Sequence, residues 1–186
     1  MGIYLNPGNA AFSEAVHSQI YVDKTELISY TNNVLATNQK NICVSRPRRF
    51  GKSITANMLA AYYSKGCDSE EMFSGLDISR ESDFRTHLNK HDVIHLDIQW
   101  FLANCDEVDN VVAFITKSVQ DELREIYPGV LPEGRRRGGS VLQRIHHEGL
   151  LPEHLLPGGW LRLQRFPAEE GRRYRVIVCR KGGKAM

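Results

Sequence analysis

No stretch of the 186-residue sequence approaches the roughly 20 consecutive apolar residues that crossing a bilayer requires. Cysteine is scarce, and Cys43, Cys67, Cys105 and Cys179 form no CxxC pair. That pattern excludes a zinc ribbon or a disulfide frame and fits reduced thiols. The opening residues, Met1 to Gly8, lack both the basic patch and the apolar segment of a secretory leader. A cytoplasmic protein is expected. Internal repeats are also missing. Aspartate disappears after Asp121, while ten of the 16 arginines fall after residue 133. Residues 1–133 therefore carry a net charge of −6 and residues 134–186 one of +8. Three readings of the basic stretch stand open: a nucleic-acid-binding tail, an extension without fixed structure, or sequence translated out of frame.

What is present is the composition of a folded domain, 41% hydrophobic and 25% charged. Asn6-Pro7-Gly8-Asn9 has turn chemistry, Ile20-Tyr21-Val22 is a short apolar piece, and a helix is expected around Glu26–Asn33. Asn41-Ile42-Cys43-Val44-Ser45 reads as a short buried parallel strand. A loop from Arg46 to Gly51 leads into a helix from Lys52 to about Ser64, with Ile54, Met58, Leu59 and Tyr62 at helical spacing and Lys65-Gly66 as its stop. A short helix is expected near Ser82–Leu88 and a strand over Val93–Ile98. Asn104 with Glu107 looks like a capping box. From Val108 through Val111, Val112, Ile115, Val119 and Leu123 to Ile126, one face stays apolar until Pro128-Gly129. Strand and helix in alternation predict an α/β domain with a parallel sheet.

The chemistry lies in Ser45-Arg46-Pro47-Arg48-Arg49-Phe50-Gly51-Lys52-Ser53. Backbone N–H groups at a helix N-terminus favour anions. A glycine before the lysine lets the backbone approach a phosphate, the lysine reaches the β- and γ-phosphates, and the hydroxyl joins a Mg²⁺ shell. Gly51, Lys52 and Ser53 fill these roles in order. The candidate nucleotide-binding residues are Arg48, Arg49, Phe50, Gly51, Lys52, Ser53 and Ile54, with ATP and Mg²⁺ as ligands. A bare GK[ST] is a weak signal; its place between a strand and a helix is what strengthens it. In the full pattern GxxxxGK[ST] the first glycine would stand at Arg46, and Pro47 removes one donor. A competing reading makes Arg46, Arg48 and Arg49 a nucleic-acid contact.

RPRRFGKS at 46–53 resembles the signature of the AAA-ATPase-like domain family, and Tyr21-Val22-Asp23-Lys24-Thr25 resembles that family's YVDKT element. The resemblance covers roughly residues 4–127 and makes Arg46 a match. It implies an ASCE-type P-loop fold, Mg·ATP as ligand, and often a PD-(D/E)XK-type nuclease domain further along, for which the rest of this sequence leaves no room.

Hydrolysis needs a strand ending in an acidic pair. Asp97 is the one strand-end acid, a weak candidate for the catalytic and Mg²⁺-side carboxylate, and Ile98 follows it where a water-orienting Glu is needed. The resemblance makes Val93–Asp97 an intermediate strand instead, with the acidic strand due after about residue 140. Asp97 as a simple strand end is the plain alternative. Ser140–His147 still resembles the family's next short helix, but no apolar run ending in Asp-Glu follows, and Val176-Ile177-Val178-Cys179 runs into Arg180-Lys181. Arg135-Arg136-Arg137-Gly138-Gly139 is a candidate RNA element. His146, His147 and His154 lack a carboxylate or Cys partner for a metal. The expected organisation is the N-terminal part of a P-loop domain over 1–133, incomplete at its C-terminal side. A Gly/Arg/Pro-rich tail over 134–186 is expected to be disordered or out of frame, with the frame changing near 148.

Overall fold

A computed structural model describes residues 1–35, 37–39, 41–44, 49–128, 161–167 and 173–179. In chain order the helices are α1 (Ala10–Val16), α2 (Glu26–Val34), α3 (Lys52–Tyr63), α4 (Glu70–Phe73) and α5 (Phe84–His87). Strand β1 (Asp92–Asp97) follows, then α6 (Ile98–Ala103), α7 (Val111–Ile126), β2 (Leu161–Pro167) and β3 (Arg173–Cys179). Two 3₁₀ turns, Asp77–Arg80 and Val108–Asn110, join the helices.

The sheet has the order β1-β3-β2, with β3 parallel to β1 and antiparallel to β2. β1 is covered on both faces, as its continuous apolar run predicts. Val93 packs with Phe12, Met58, Leu59, Tyr62, Tyr63 and Phe73 in one core. Ile94 and Leu96 pack with Leu5, Phe101, Val111, Ile115, Val119 and Leu123 in a second. Alternate strand residues point to opposite faces, so one strand divides two cores.

α3 is buried along most of its length, from Thr55 and Ala56 to Tyr62 and Tyr63. Its two tyrosine hydroxyls find partners inside, as buried phenols must. Tyr62 donates to the Phe84 carbonyl at 2.7 Å, and Tyr63 donates to Asn32 Oδ1 at 2.7 Å. The stop after Tyr63 is firm: Gly66 takes φ 89°, and Asn89 Nδ2 donates to the carbonyls of Ala61 and Ser64. α7 places Val111, Ile115, Val119 and Leu123 inward at four-residue spacing, as the sequence predicts.

Two expectations change. Asn41–Val44 forms no strand, and Ser45 lies outside the described residues. Ile42 and Val44 do pack against the first core. Both edges of β1 are taken, however. β3 holds one, and on the other Asn6 N–H donates to the Val93 carbonyl and His95 N–H to the Tyr4 carbonyl. The capping box at Asn104 also fails: Asn104 closes α6, its N–H donating to the Trp100 carbonyl at 3.1 Å, and α7 starts later at Val111. β2 and β3 lie within residues 134–186, the stretch for which disorder or an out-of-frame origin is expected. The apolar, β-branched run Val176-Ile177-Val178 has strand propensity, and β1 has an edge for it to fill. The arginine cluster at 135–137 and the three histidines lie outside the described residues.

The helix α7 should carry much of the second core. Ile115→Ala is expected to lower the unfolding free energy by about 2–4 kcal/mol. Val108→Ala, at a site 68% exposed, should change it by less than about 0.5 kcal/mol. Urea denaturation of both variants checks this; a small effect at Ile115 would mean that α7 does not cover the sheet.

Candidate phosphate-binding site

The candidate loop residues Arg49 to Ile54 form one continuous turn and helix start, while Arg48 lies outside the described residues. Gly51 is the N-cap of α3 with φ 75° and ψ 22°, in the left-handed region where a glycine bears no steric penalty. Arg49 is left-handed as well, at φ 68°, a conformation that costs a non-glycine residue about 1–2 kcal/mol. Two left-handed residues with one between them turn the chain sharply into the helix. Lys52, Ser53 and Ile54 are the first three residues of α3. Phe50, Ser53 and Ile54 are exposed, and Gly51 and Lys52 half-buried.

The peptides on either side of Gly51 are each held by their carbonyl. The Gly51 carbonyl accepts from Thr55 N–H at 2.9 Å and from Thr55 Oγ1 at 3.0 Å. The Phe50 carbonyl accepts from Lys24 Nζ at 3.1 Å. A trans peptide carries its N–H opposite its C=O, so fixing these carbonyls fixes where the N–H groups of Gly51 and Lys52 point. Gly51 suits this position chiefly by its left-handed conformation. A Cβ on it would stand 2.8 Å from Lys24 Nζ.

Lys24 belongs to Tyr21-Val22-Asp23-Lys24-Thr25, and the structure shows what holds that segment. Thr25 is fully buried, and its Oγ1 accepts from Ile78 N–H at 3.1 Å. Asp23 accepts from Thr25 N–H and from Asp77 N–H, both at 2.8 Å. Its carboxylate is thus tied to the 3₁₀ turn Asp77–Arg80. Burial opposes the charged form of Asp23. The N–H groups of Asp77, Thr25 and Lys24 and the Thr25 hydroxyl outweigh that, and its pKa lies below the ordinary value. Tyr21 lies edge-on to Phe12, and burial together with the Asp23 charge pushes its phenol up to about 12. Sequence reasoning had no signal for the Lys24 contact, since 26 residues separate it from Phe50.

Asp97 is exposed at the end of β1. Its Oδ1 accepts from Gln99 N–H at 2.9 Å and from Trp100 N–H at 3.3 Å, which makes it the N-cap of α6. Among the described residues, neither of these donors belongs to the loop. Among the described residues no group of three or more His, Cys, Asp or Glu side chains could hold a metal ion. No described helix is long and apolar enough to cross a membrane.

A family model described as "Predicted AAA-ATPase" matches residues 8–147, more than half of the chain. The chain belongs to the AAA-ATPase-like family. Membership implies the P-loop fold and is consistent with nucleotide binding. The matched span holds the whole Arg49–Ile54 turn and the Tyr21–Thr25 segment that braces it. Neither a curated protein nor a solved structure matches the chain.

The lowered Asp23 pKa sets a pH dependence. Its stabilising effect is present above the unfolded carboxylate value and is lost as pH falls through the lower folded value. The difference in urea midpoint between wild type and Asp23→Ala should therefore be constant near neutrality and shrink below about pH 4. A difference that persists unchanged at about pH 2 would contradict the bonded carboxylate.

Proposed function

We propose that the Arg49–Gly51 turn and the first turn of α3 form a Walker A-type loop that binds the phosphates of Mg·ATP. The observation that carries this is the pair of fixed carbonyls on either side of Gly51. With these two acceptors tied, the N–H groups at the head of a 12-residue helix are oriented toward an anion. Lys52 would reach the β- and γ-phosphates and Ser53 would complete the Mg²⁺ shell, with Arg49, Phe50 and Ile54 beside them. The donor set suits a phosphate, and Gly51 takes the left-handed turn into α3 without steric penalty.

Hydrolysis is a separate requirement, and the residues argue against it. In-line attack needs a carboxylate to orient water. Asp97 is occupied as a helix cap and is followed by Ile98. The neighbouring parallel strand places Cys179 opposite Asp97, and the sequence runs on into Arg180 and Lys181 where acids are needed. We therefore assign binding of Mg·ATP with turnover near background. The family match ends at residue 147, beside the shift to arginine, glycine and proline. This supports a boundary near 148 for the family-type sequence, although β3 joins the sheet of β1.

Lys52→Ala should weaken Mg·ATP binding by about 1.5–3 kcal/mol, the range for a hydrogen bond to a charged group. Titration calorimetry of the two proteins tests this. Equal affinity would end the phosphate-loop reading. Salt-sensitive affinity for nucleic acid that ignores Lys52 would favour an arginine-based contact in its place.

A further inference from the structure

The Tyr21–Thr25 segment lies apart from the glycine-lysine-serine turn in sequence, and its Lys24 is the one outside residue whose side chain bonds the Phe50 carbonyl among the described residues. Lys24 is exposed, and the backbone on either side of it is anchored. Thr25 is fully buried and bonded to Ile78, and Asp23 is bonded to Asp77. From that base the side chain reaches the Phe50 carbonyl and comes within 2.8 Å of the space a Gly51 Cβ would fill.

The loop needs such a clamp for a physical reason. An anion is attracted by N–H groups and repelled by carbonyl oxygens, so a phosphate cradle works only if its peptides are turned N–H inward. Helix geometry supplies this for the peptide after Gly51, whose carbonyl is held by Thr55 within α3. It cannot supply it for the peptide before Gly51, which lies outside the helix. Arg49, held left-handed against its own preference, shows that this turn is not relaxed by itself. A cation on the outer side both holds the Phe50 carbonyl and satisfies it.

We infer that Lys24 is a positioning residue of the phosphate loop: its ammonium fixes the Phe50–Gly51 peptide so that the Gly51 N–H faces the nucleotide phosphate. This rests on the phosphate-loop reading above and gives the Asp23-Lys24-Thr25 segment its function as the loop's outer brace. Lys24 acts through the peptide and does not itself touch the ligand.

The test uses the full chain in four forms: wild type, Lys24→Met, Lys24→Arg and Lys52→Ala. Mg·ATP affinity is measured by calorimetry, and the Gly51 amide resonance is followed by NMR without nucleotide. Lys24→Met should bind Mg·ATP about tenfold more weakly, with the unliganded Gly51 amide clearly displaced. Lys24→Arg, which keeps a charged donor, should lie nearer wild type in both readouts. Wild-type affinity in Lys24→Met overturns the inference while Lys52→Ala, if weakened, leaves the phosphate loop standing. A loss in Lys24→Met with an unmoved Gly51 amide also overturns it, because charge alone would then explain the loss. So does a Lys24→Arg variant as weak as Lys24→Met. If Lys52→Ala binds as wild type, the phosphate-loop reading falls and this inference falls with it.

Discussion

An N–H group can face an anion only if the carbonyl of the same peptide has somewhere else to go. At the start of α3 that constraint is met twice in succession, by Thr55 for the Gly51 carbonyl and by Lys24 for the Phe50 carbonyl. Much of the surrounding architecture serves these two contacts. α3 is held in place by burial on nearly every side and by tyrosine hydroxyls that bond to α2 and to Phe84. Lys24 is held by a segment whose buried Thr25 and bonded Asp23 lock it to the turn at Asp77–Arg80. A helix whose N-terminus shifted would lose its alignment with the brace, so the core's rigidity and the loop's shape are one requirement.

The left-handed backbone at Gly51 favours glycine over other residues, and the flexible end of Lys24 lies near the space where a Cβ would project. Arg49 has no such excuse. Its φ of 68° is strain held by its surroundings, the kind found where a backbone is shaped for a ligand rather than for its own stability.

Elements with a strong period were legible in the sequence. Val111, Ile115, Val119 and Leu123 marked α7, and the apolar run ending at Asp97 marked β1, because those patterns follow directly from which face is buried. Asn41–Ser45 looked equally strand-like, but an apolar run cannot say whether a sheet edge is free to receive it. Here the N-terminal Tyr4–Asn6 and the distant β3 occupy both edges of β1. Helix α6 was missed for a related reason: Ile98-Gln99-Trp100-Phe101-Leu102 has no clean period, and the cap supplied by Asp97 was weighed as a metal ligand. At the site, Gly51, Lys52 and Ser53 could be named from spacing, since contiguous residues act together there. The brace could not, because its contact joins residues far apart in the chain.

The proposed reading, Mg·ATP binding at the head of α3 with Asp97 spent as the cap of α6, fits membership of this family. The most direct measurement is an amide-resonance map of the ¹⁵N-labelled chain titrated with Mg·ATP. The account predicts that the largest shifts fall on Gly51, Lys52 and Ser53 and fade along α3. Shifts concentrated instead on the arginine-rich stretch after residue 133, with the Gly51–Ser53 amides unmoved, would contradict it.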